Sequence, residues 1–210
     1  MNGLFKEISR GKSLLRTLMN LELKNHSISG KVLDVGGGVG PSYYRFLTKE
    51  PNTKVVTLDL EGGTKIDLET DRLPYNDSAI DNILLVNIME HIYNYDFLLM
   101  EIYRVLKGGG KVIGFVPFMI NYHPDPHDYF RFSQEALKKI FIQVGFKDIN
   151  IKAIGRGPMS VNYNNVMIFL PRIMRIIILP FYFIVDKILL KLRPKMNERY
   201  PLGYFFELRK

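Results

Sequence analysis

Apolar and polar positions follow two periods along this chain. Leu4, Phe5, Ile8, Leu14, Leu15, Leu18 and Leu21 recur at mostly helical spacing among seven charged residues. They predict an amphipathic lead helix within residues 1–28. From residue 29 onward, short runs rich in branched aliphatics alternate with helical patterns. Residues 31–35, 54–58, 65–66, 82–86, 111–116 and 149–154 read as strands, and 204–208 alternates as a final one. A helix is expected to start near Pro41, a residue suited to a first helical turn. A second helix spans 96–107, with Gly108–Gly110 as its C-terminal stop. A third runs from Ser133, a capping residue, to Val144, with Glu135 in its first turn and Gly145 behind it. Strands separated by helices predict an α/β fold, a doubly wound and mainly parallel sheet covered on both faces, over residues 29–210.

One segment departs from this rhythm. Residues 155–200 stand between the last two strands, where a short turn would suffice, and form a basic, apolar helical insertion. The window 155–199 holds eight basic and two acidic residues, so it supplies six of the eight net positive charges of the chain. The rest is nearly neutral, which argues against nucleic acid as a partner. The tract 176–185 is free of charge but only ten residues long, and Pro171 and Pro180 are expected to interrupt a helix. A spanning helix wants about 18 or more apolar residues, so a simple transmembrane segment is rejected. Three readings of 166–192 stay open: helices capping an acceptor pocket, an element whose apolar face enters lipid while Arg and Lys meet anionic headgroups, and a homodimer surface.

The 210 residues include no cysteine, which removes disulfide scaffolds, thiolate metal sites and cysteine nucleophiles from consideration. Residues 1–25 mix charges throughout and lack the apolar core of an export signal. The expected location is cytoplasmic, peripheral to the inner face of the membrane if 166–192 meets lipid.

The chemistry concentrates after the first buried strand. Asp34-Val-Gly36-Gly37-Gly38-Val-Gly40 places an acid and then glycine at every second position between a strand and a predicted helix. Glycines serve where a backbone turns sharply and a ligand approaches the main chain. The spacing fits the dinucleotide pattern G-x-G-x-x-G poorly, since its third position would fall on Pro41 or Tyr43. A carboxylate at Asp34 disfavours a pyrophosphate and suits a cationic amine. The ligand expected is nucleoside-like, with an ammonium group and no phosphates, a description met by S-adenosylmethionine. Asp59 ends the second strand, where a carboxylate can accept from both ribose hydroxyls.

With these residues the chain resembles the class I S-adenosylmethionine-dependent methyltransferases, in the type 11-like branch with an "EH" pair after the fourth strand. Leu73-Pro-Tyr75, Ser78-Ala-Ile-Asp81 and Asn87-Ile-Met-Glu-His91 match its motifs. The resemblance implies a Rossmann-like seven-stranded sheet with an antiparallel last strand, and S-adenosyl-L-methionine as cofactor. It implies that Asp34, Gly36, Gly37, Gly38 and Gly40 hold the methionine part, that Asp59 and Leu60 meet the ribose, that Asp67 and Leu68 meet the adenine, and that Asn87 completes the site.

Acceptor chemistry is expected from the loops after strands four and five. An oxygen nucleophile needs a base nearby, and His91, His123 and His127 are the candidates. Residues 121–132 combine two histidines, two acids, two prolines and four aromatics. Tyr122, Tyr129 and Arg131 are candidate substrate contacts, although Arg131 can instead pair with Asp128 and the aromatics can simply pack. His123, His127 and Asp128 have a spacing open to metal, but methyl transfer requires none and none is expected. The activity expected is methyl transfer, by O-methylation, to a small-molecule, glycan or lipid-linked acceptor. The alternatives are a non-catalytic protein that binds the cofactor and an NAD(P)-dependent oxidoreductase.

Overall fold

The computed structural model describes residues 2–38, 40–59, 64–155 and 157–210. The strands are β1 (Ser27–Ile28), β2 (Lys31–Val35), β3 (Thr48–Lys49), β4 (Lys54–Asp59), β5 (Thr64–Lys65), β6 (Ile80–Val86), β7 (Leu106–Pro117), β8 (Asp148–Ile154) and β9 (Gly203–Arg209). The helices are α1 (Asn2–Ser9), α2 (Leu14–Leu23), α3 (Tyr95–Val105), α4 (Gln134–Val144), α5 (Pro158–Val166) and α6 (Arg172–Leu192). One seven-stranded sheet runs in the order β5-β4-β2-β6-β7-β9-β8. β9 lies antiparallel to both its neighbours and the remaining ladders are parallel. This is the Rossmann-like arrangement expected, including the helical insertion before the last strand.

The central strands explain their own sequences. In β2 every residue after Lys31 is buried, and in β6 all but Asp81 are. A parallel strand covered on both faces must be apolar on both faces, which is why these runs do not alternate. On one face Leu98, Leu99 and Ile102 of α3 and Leu137 and Phe141 of α4 pack with Leu33, Ile83, Leu85 and Phe206. On the other, Met19 and Leu23 of α2 pack with Val32, Leu84, Val86, Ile113 and Phe205. A third cluster, away from the sheet, joins Leu4 and Ile8 of α1 to Tyr163 of α5, to Met167 just after it, and to Leu179 of α6.

Several local expectations change. The lead segment is two helices, because Gly11 takes φ +89° and Ser13 restarts the chain by accepting from the Arg16 N–H at 3.1 Å. Its second half belongs to the sheet's own covering layer. The helix expected near Pro41 is a single 3-10 turn over Ser42–Arg45. Tyr43, Phe46 and Leu47 bury their side chains there, and β3 pairs with β1 instead. Gly108–Gly110 are not a helix cap. α3 ends at Val105, Leu106 is already extended, and the glycines lie inside β7. Pro171 precedes α6, but Pro180 sits inside it, on an exposed position where water can satisfy the carbonyl its ring leaves unpaired. The short strand expected over 65–66 is β5, which stands one residue earlier.

Candidate active site

The strand order decides where a ligand can sit. From β2 the chain moves to one side of the sheet, and from β6 it moves to the other, so the loops leaving these neighbouring strands part and open a crevice at their carboxyl ends. β2 delivers the glycine turn and β6 delivers Asn87. A cleft of about 1250 Å³ begins there and continues to the loop 121–129.

The glycine turn is shaped by what lies behind it. Gly36 has φ +71°, and a Cβ on it would fall 2.2 Å from Cδ1 of Ile88. A Cβ on Gly37 would fall 2.1 Å from Oδ2 of Asp34. The turn therefore has to be glycine to pass between a carboxylate and an isoleucine. Asp34 is fully buried. Tyr43 donates to both of its oxygens at 2.7 Å, and Tyr44 donates to Oδ2 at 2.6 Å. Burial, then the Asp34 charge, pushes both phenols above their ordinary range, so both stay protonated donors. Tyr43 lines the cleft in front of this carboxylate. The negative charge expected from Asp34 is present, but among the described residues it reaches the cleft through hydroxyls.

Three polar groups in the cleft are left incomplete. Asn87 is held at φ +55°, with its N–H donating to the Phe115 carbonyl at 2.9 Å, while its side-chain Oδ1 is buried without a partner among the described residues. Glu90 is 1% exposed, and neither carboxylate oxygen accepts from any other described residue. Burial pushes its carboxyl up to about 8. Arg16, from α2, lines the same cleft, and its guanidinium makes no ion pair among the described residues. Burial lowers its pKa, and the nearby Glu90 carboxyl works against that shift. Unpaired buried polar groups cost stability and mark places prepared for a ligand.

The acceptor side is a loop pinned to the same turn. Tyr129 N–H donates to the Glu90 carbonyl at 2.8 Å, and His91 Nδ1 donates to the His127 carbonyl. His91 Nε2 stands 3.7 Å from Glu90 Oε1. Asp128 accepts from the His123 N–H at 2.8 Å and from both terminal nitrogens of Arg131, the second at 2.6 Å. The guanidinium holds that carboxyl below the usual range. Tyr93, Tyr129, Phe130 and Phe132 pack together with centroid separations of 5.3–6.2 Å between contacting pairs.

The structure thus brings Gly36, Gly37, Gly38, Asp67, Leu68, Asn87, His91, His123, His127 and Tyr129 to one cleft. Gly40 lies beside it, with open space where a Cβ would stand. Tyr122 is 70% exposed, and Arg131 is engaged by Asp128. Asp59 closes β4, but its side chain and Leu60 lie outside the described residues. Arg16 and Glu90 join the site without having been expected as site residues. Glu90 is legible as half of the "EH" pair, but nothing local in α2 signals that it folds across the sheet edge.

Comparison with known proteins agrees with this architecture. Residues 33–114 match the family model of a methyltransferase domain. An uncharacterized protein of Methanocaldococcus jannaschii is 31% identical over 156 residues, 69% of this chain and 61% of that one. A rice (Oryza sativa subsp. japonica) 2-methyl-6-phytyl-1,4-hydroquinone methyltransferase is 28% identical over 153 residues, 64% of this chain and 46% of that one. The chain thus spans between about half and three fifths of the length of these relatives. A solved S-adenosylmethionine-dependent methyltransferase of Archaeoglobus fulgidus superposes over 100% of this chain and 96% of its own with a TM-score of 0.59 at 17% identity. Residues 33–114 thus match a methyltransferase domain, and the chain has the fold of solved S-adenosylmethionine-dependent methyltransferases.

S-adenosylmethionine is the cofactor named for the Archaeoglobus fulgidus protein, and the residues present in this cleft fit it. Its amino-acid end is a zwitterion. The Arg16 guanidinium and the Asn87 Oδ1, both without a partner among the described residues, line the cleft beside the glycine turn, where a Cβ on Gly36 or Gly37 would strike Ile88 or Asp34.

Proposed function

We propose that this protein transfers a methyl group from S-adenosylmethionine to a hydroxyl of a small-molecule acceptor seated under the loop 121–129. The observation that carries this reading is the continuous cleft of about 1250 Å³ running from the glycine turn to the histidine loop. Pockets for one small ligand take about 300–1,000 Å³, so two reactants have room to meet end to end. S-adenosylmethionine supplies an electrophilic methyl group on a sulfonium.

The chain supplies position and proton traffic. Asn87 and the glycine turn orient the cofactor's amine, and Arg16 meets its carboxylate. Glu90, mostly protonated in the empty cleft, supplies negative charge once a bound cation favours its ionised form. Alignment of two bound reactants supplies most of the acceleration in a displacement of this kind. His91 donates from Nδ1 to the His127 carbonyl and sets Nε2 3.7 Å from Glu90 Oε1, so both of its nitrogens face the protein and it positions the loop. His123 and His127 are the imidazoles that take the acceptor proton. The rice relative, named for a methylated hydroquinone, supports an aromatic hydroxyl compound, and the Tyr93–Tyr129–Phe130 cluster offers faces for one to stack on.

The test is a methyl-label transfer assay on fractionated extracts and on a panel of phenols and hydroquinones. Label is expected in a small-molecule fraction, reduced in His123→Ala or His127→Ala while adenosylhomocysteine affinity is kept. Tight adenosylhomocysteine binding with no transfer to any fraction would refute the reading.

A further inference from the structure

α6 is a helix with the wrong face outward. It is 21 residues long, or about 31 Å at 1.5 Å per residue, and only Leu179 and Asp186 are buried. Ile173, Ile177, Phe181, Ile184, Ile188 and Leu192 follow one another at intervals of three or four, so they form a single stripe along its whole outer side. Each is more than half exposed, as are Ile168 and Phe169 just before the helix. Together they exceed the few hundred Å² of contiguous apolar surface that monomeric proteins leave uncovered.

The charges around the stripe say what covers it. Arg172, Lys187, Lys191, Arg193 and Lys195 are exposed, and none is paired among the described residues. The one acid of α6, Asp186, is turned inward. It accepts from the Met159 N–H at 2.9 Å, the Ser160 N–H at 2.7 Å and the Ser160 hydroxyl at 2.5 Å. A second copy of the chain docked through the same stripe would set cations against cations, since a two-fold contact is self-complementary only where both signs are present. An anionic bilayer meets both features, with its headgroups facing the lysines and its acyl boundary receiving the stripe.

We infer that α6 lies in the surface of an anionic membrane, parallel to it, with its isoleucine and phenylalanine side chains in the acyl boundary. No helix of the described residues is long and apolar enough to cross a membrane, and surface immersion needs no crossing. Ile168 belongs both to the exposed apolar surface and to the lining of the cleft. Docking therefore turns the cleft mouth toward the lipid, and the acceptor is an amphiphile drawn from the bilayer. This last step rests on the methyl-transfer reading above.

The experiment uses the full chain in vesicle flotation, with phosphatidylcholine alone and with equal parts phosphatidylcholine and phosphatidylglycerol. Wild type is expected to float with the anionic vesicles and not with the neutral ones. Ile177→Asp with Phe181→Asp is expected to abolish flotation. Lys187→Gln with Lys191→Gln is expected to weaken it about thirtyfold, since each cation near an anionic surface contributes about fivefold. None of the four residues lines the cleft, so adenosylhomocysteine binding is expected to be unchanged and certifies that the variants fold. Failure of wild type to float, or a lipid-free dimer that Ile177→Asp dissociates, overturns the docking. Methyl label should enter the solvent-extractable lipids of membrane vesicles with wild type and not with Ile177→Asp/Phe181→Asp. Equal labelling by both overturns delivery from the bilayer. Flotation without any labelling leaves docking standing and refutes the methyl-transfer reading instead.

Discussion

Replacing Glu90 by glutamine tests the electrostatics of the cleft without changing its shape. The carboxyl stands at about 8 in the folded protein, against an ordinary 4.5. A folded value above the unfolded one means that the folded state binds the proton more tightly. Stability is then complete below about pH 4.5 and falls as pH rises toward about 8. At pH 7 the unfolded carboxyl is ionised and the folded one mostly is not, which costs about 3 kcal/mol, set by the gap between pH 7 and the unfolded value of 4.5. A glutamine side chain keeps the volume and cannot ionise, so Glu90→Gln is expected to recover most of that. For a chain of this length ~1 kcal/mol corresponds to roughly 2–4 °C, so the midpoint at neutral pH should rise by roughly 5–12 °C. The gap should close toward about pH 5. Thermal unfolding of both proteins, without ligand, across this range is the assay. Parallel curves with a constant offset would mean that Glu90 is ionised throughout and that burial does not govern it. The proposed function sets this carboxylate against a cationic ligand, so methyl transfer should fall in the variant even as its melting point rises.

Gly37→Ala drives a methyl group against the Asp34 carboxylate and should weaken adenosylhomocysteine binding at least tenfold by calorimetry. Gly40→Ala, with no atom near its Cβ, should cost only about 1 kcal/mol of left-handed strain and leave binding nearly intact. Asp128→Asn removes the charge that holds Arg131 and the His123 N–H. It should cost about 1.5–3 kcal/mol and lower methyl transfer with adenosylhomocysteine affinity unchanged. Because the Asp128 carboxyl is held below its ordinary 3.8, its contribution is present above that pH and is lost as pH falls through the lowered value. Asp186→Ala strips three donors of their acceptor, so limited proteolysis should cut faster within 157–200 while far-ultraviolet dichroism of the sheet persists.

What the sequence discloses and what it hides have separate physical causes. The buried strands, the capped helix α4 and the glycine turn are local patterns, each enforced within a few residues of itself. Ser133 accepts from the Ala136 N–H and Gly145 takes φ +116° because short-range backbone geometry requires it. The failures are tertiary. A helix after Pro41 is a sound expectation from the alternating pattern, but α2 already occupies that face of the sheet, and the short connection buries Tyr43 and Phe46 directly. Gly108–Gly110 look like a stop signal, yet they serve the edge of β7, where a Cβ on Gly110 would meet the Asp81 carbonyl at 2.9 Å. In the site, the strand-end residues are visible because topology gathers them. Arg16 is invisible because a helix packing from the other end of the chain brings it there.

The position of β9 has a consequence for synthesis. Among the described residues β8 pairs with β9 alone, and β7 turns its far edge to the same strand. While the ribosome is still adding residues 155–202, a finished half-sheet waits with its inner edge bare and β8 tethered beyond a gap. Closure comes only when 203–209 leave the exit tunnel and slide between strands completed long before, so the nascent chain passes through a stage in which a chaperone, or a neighbouring nascent chain, has an open edge to grasp.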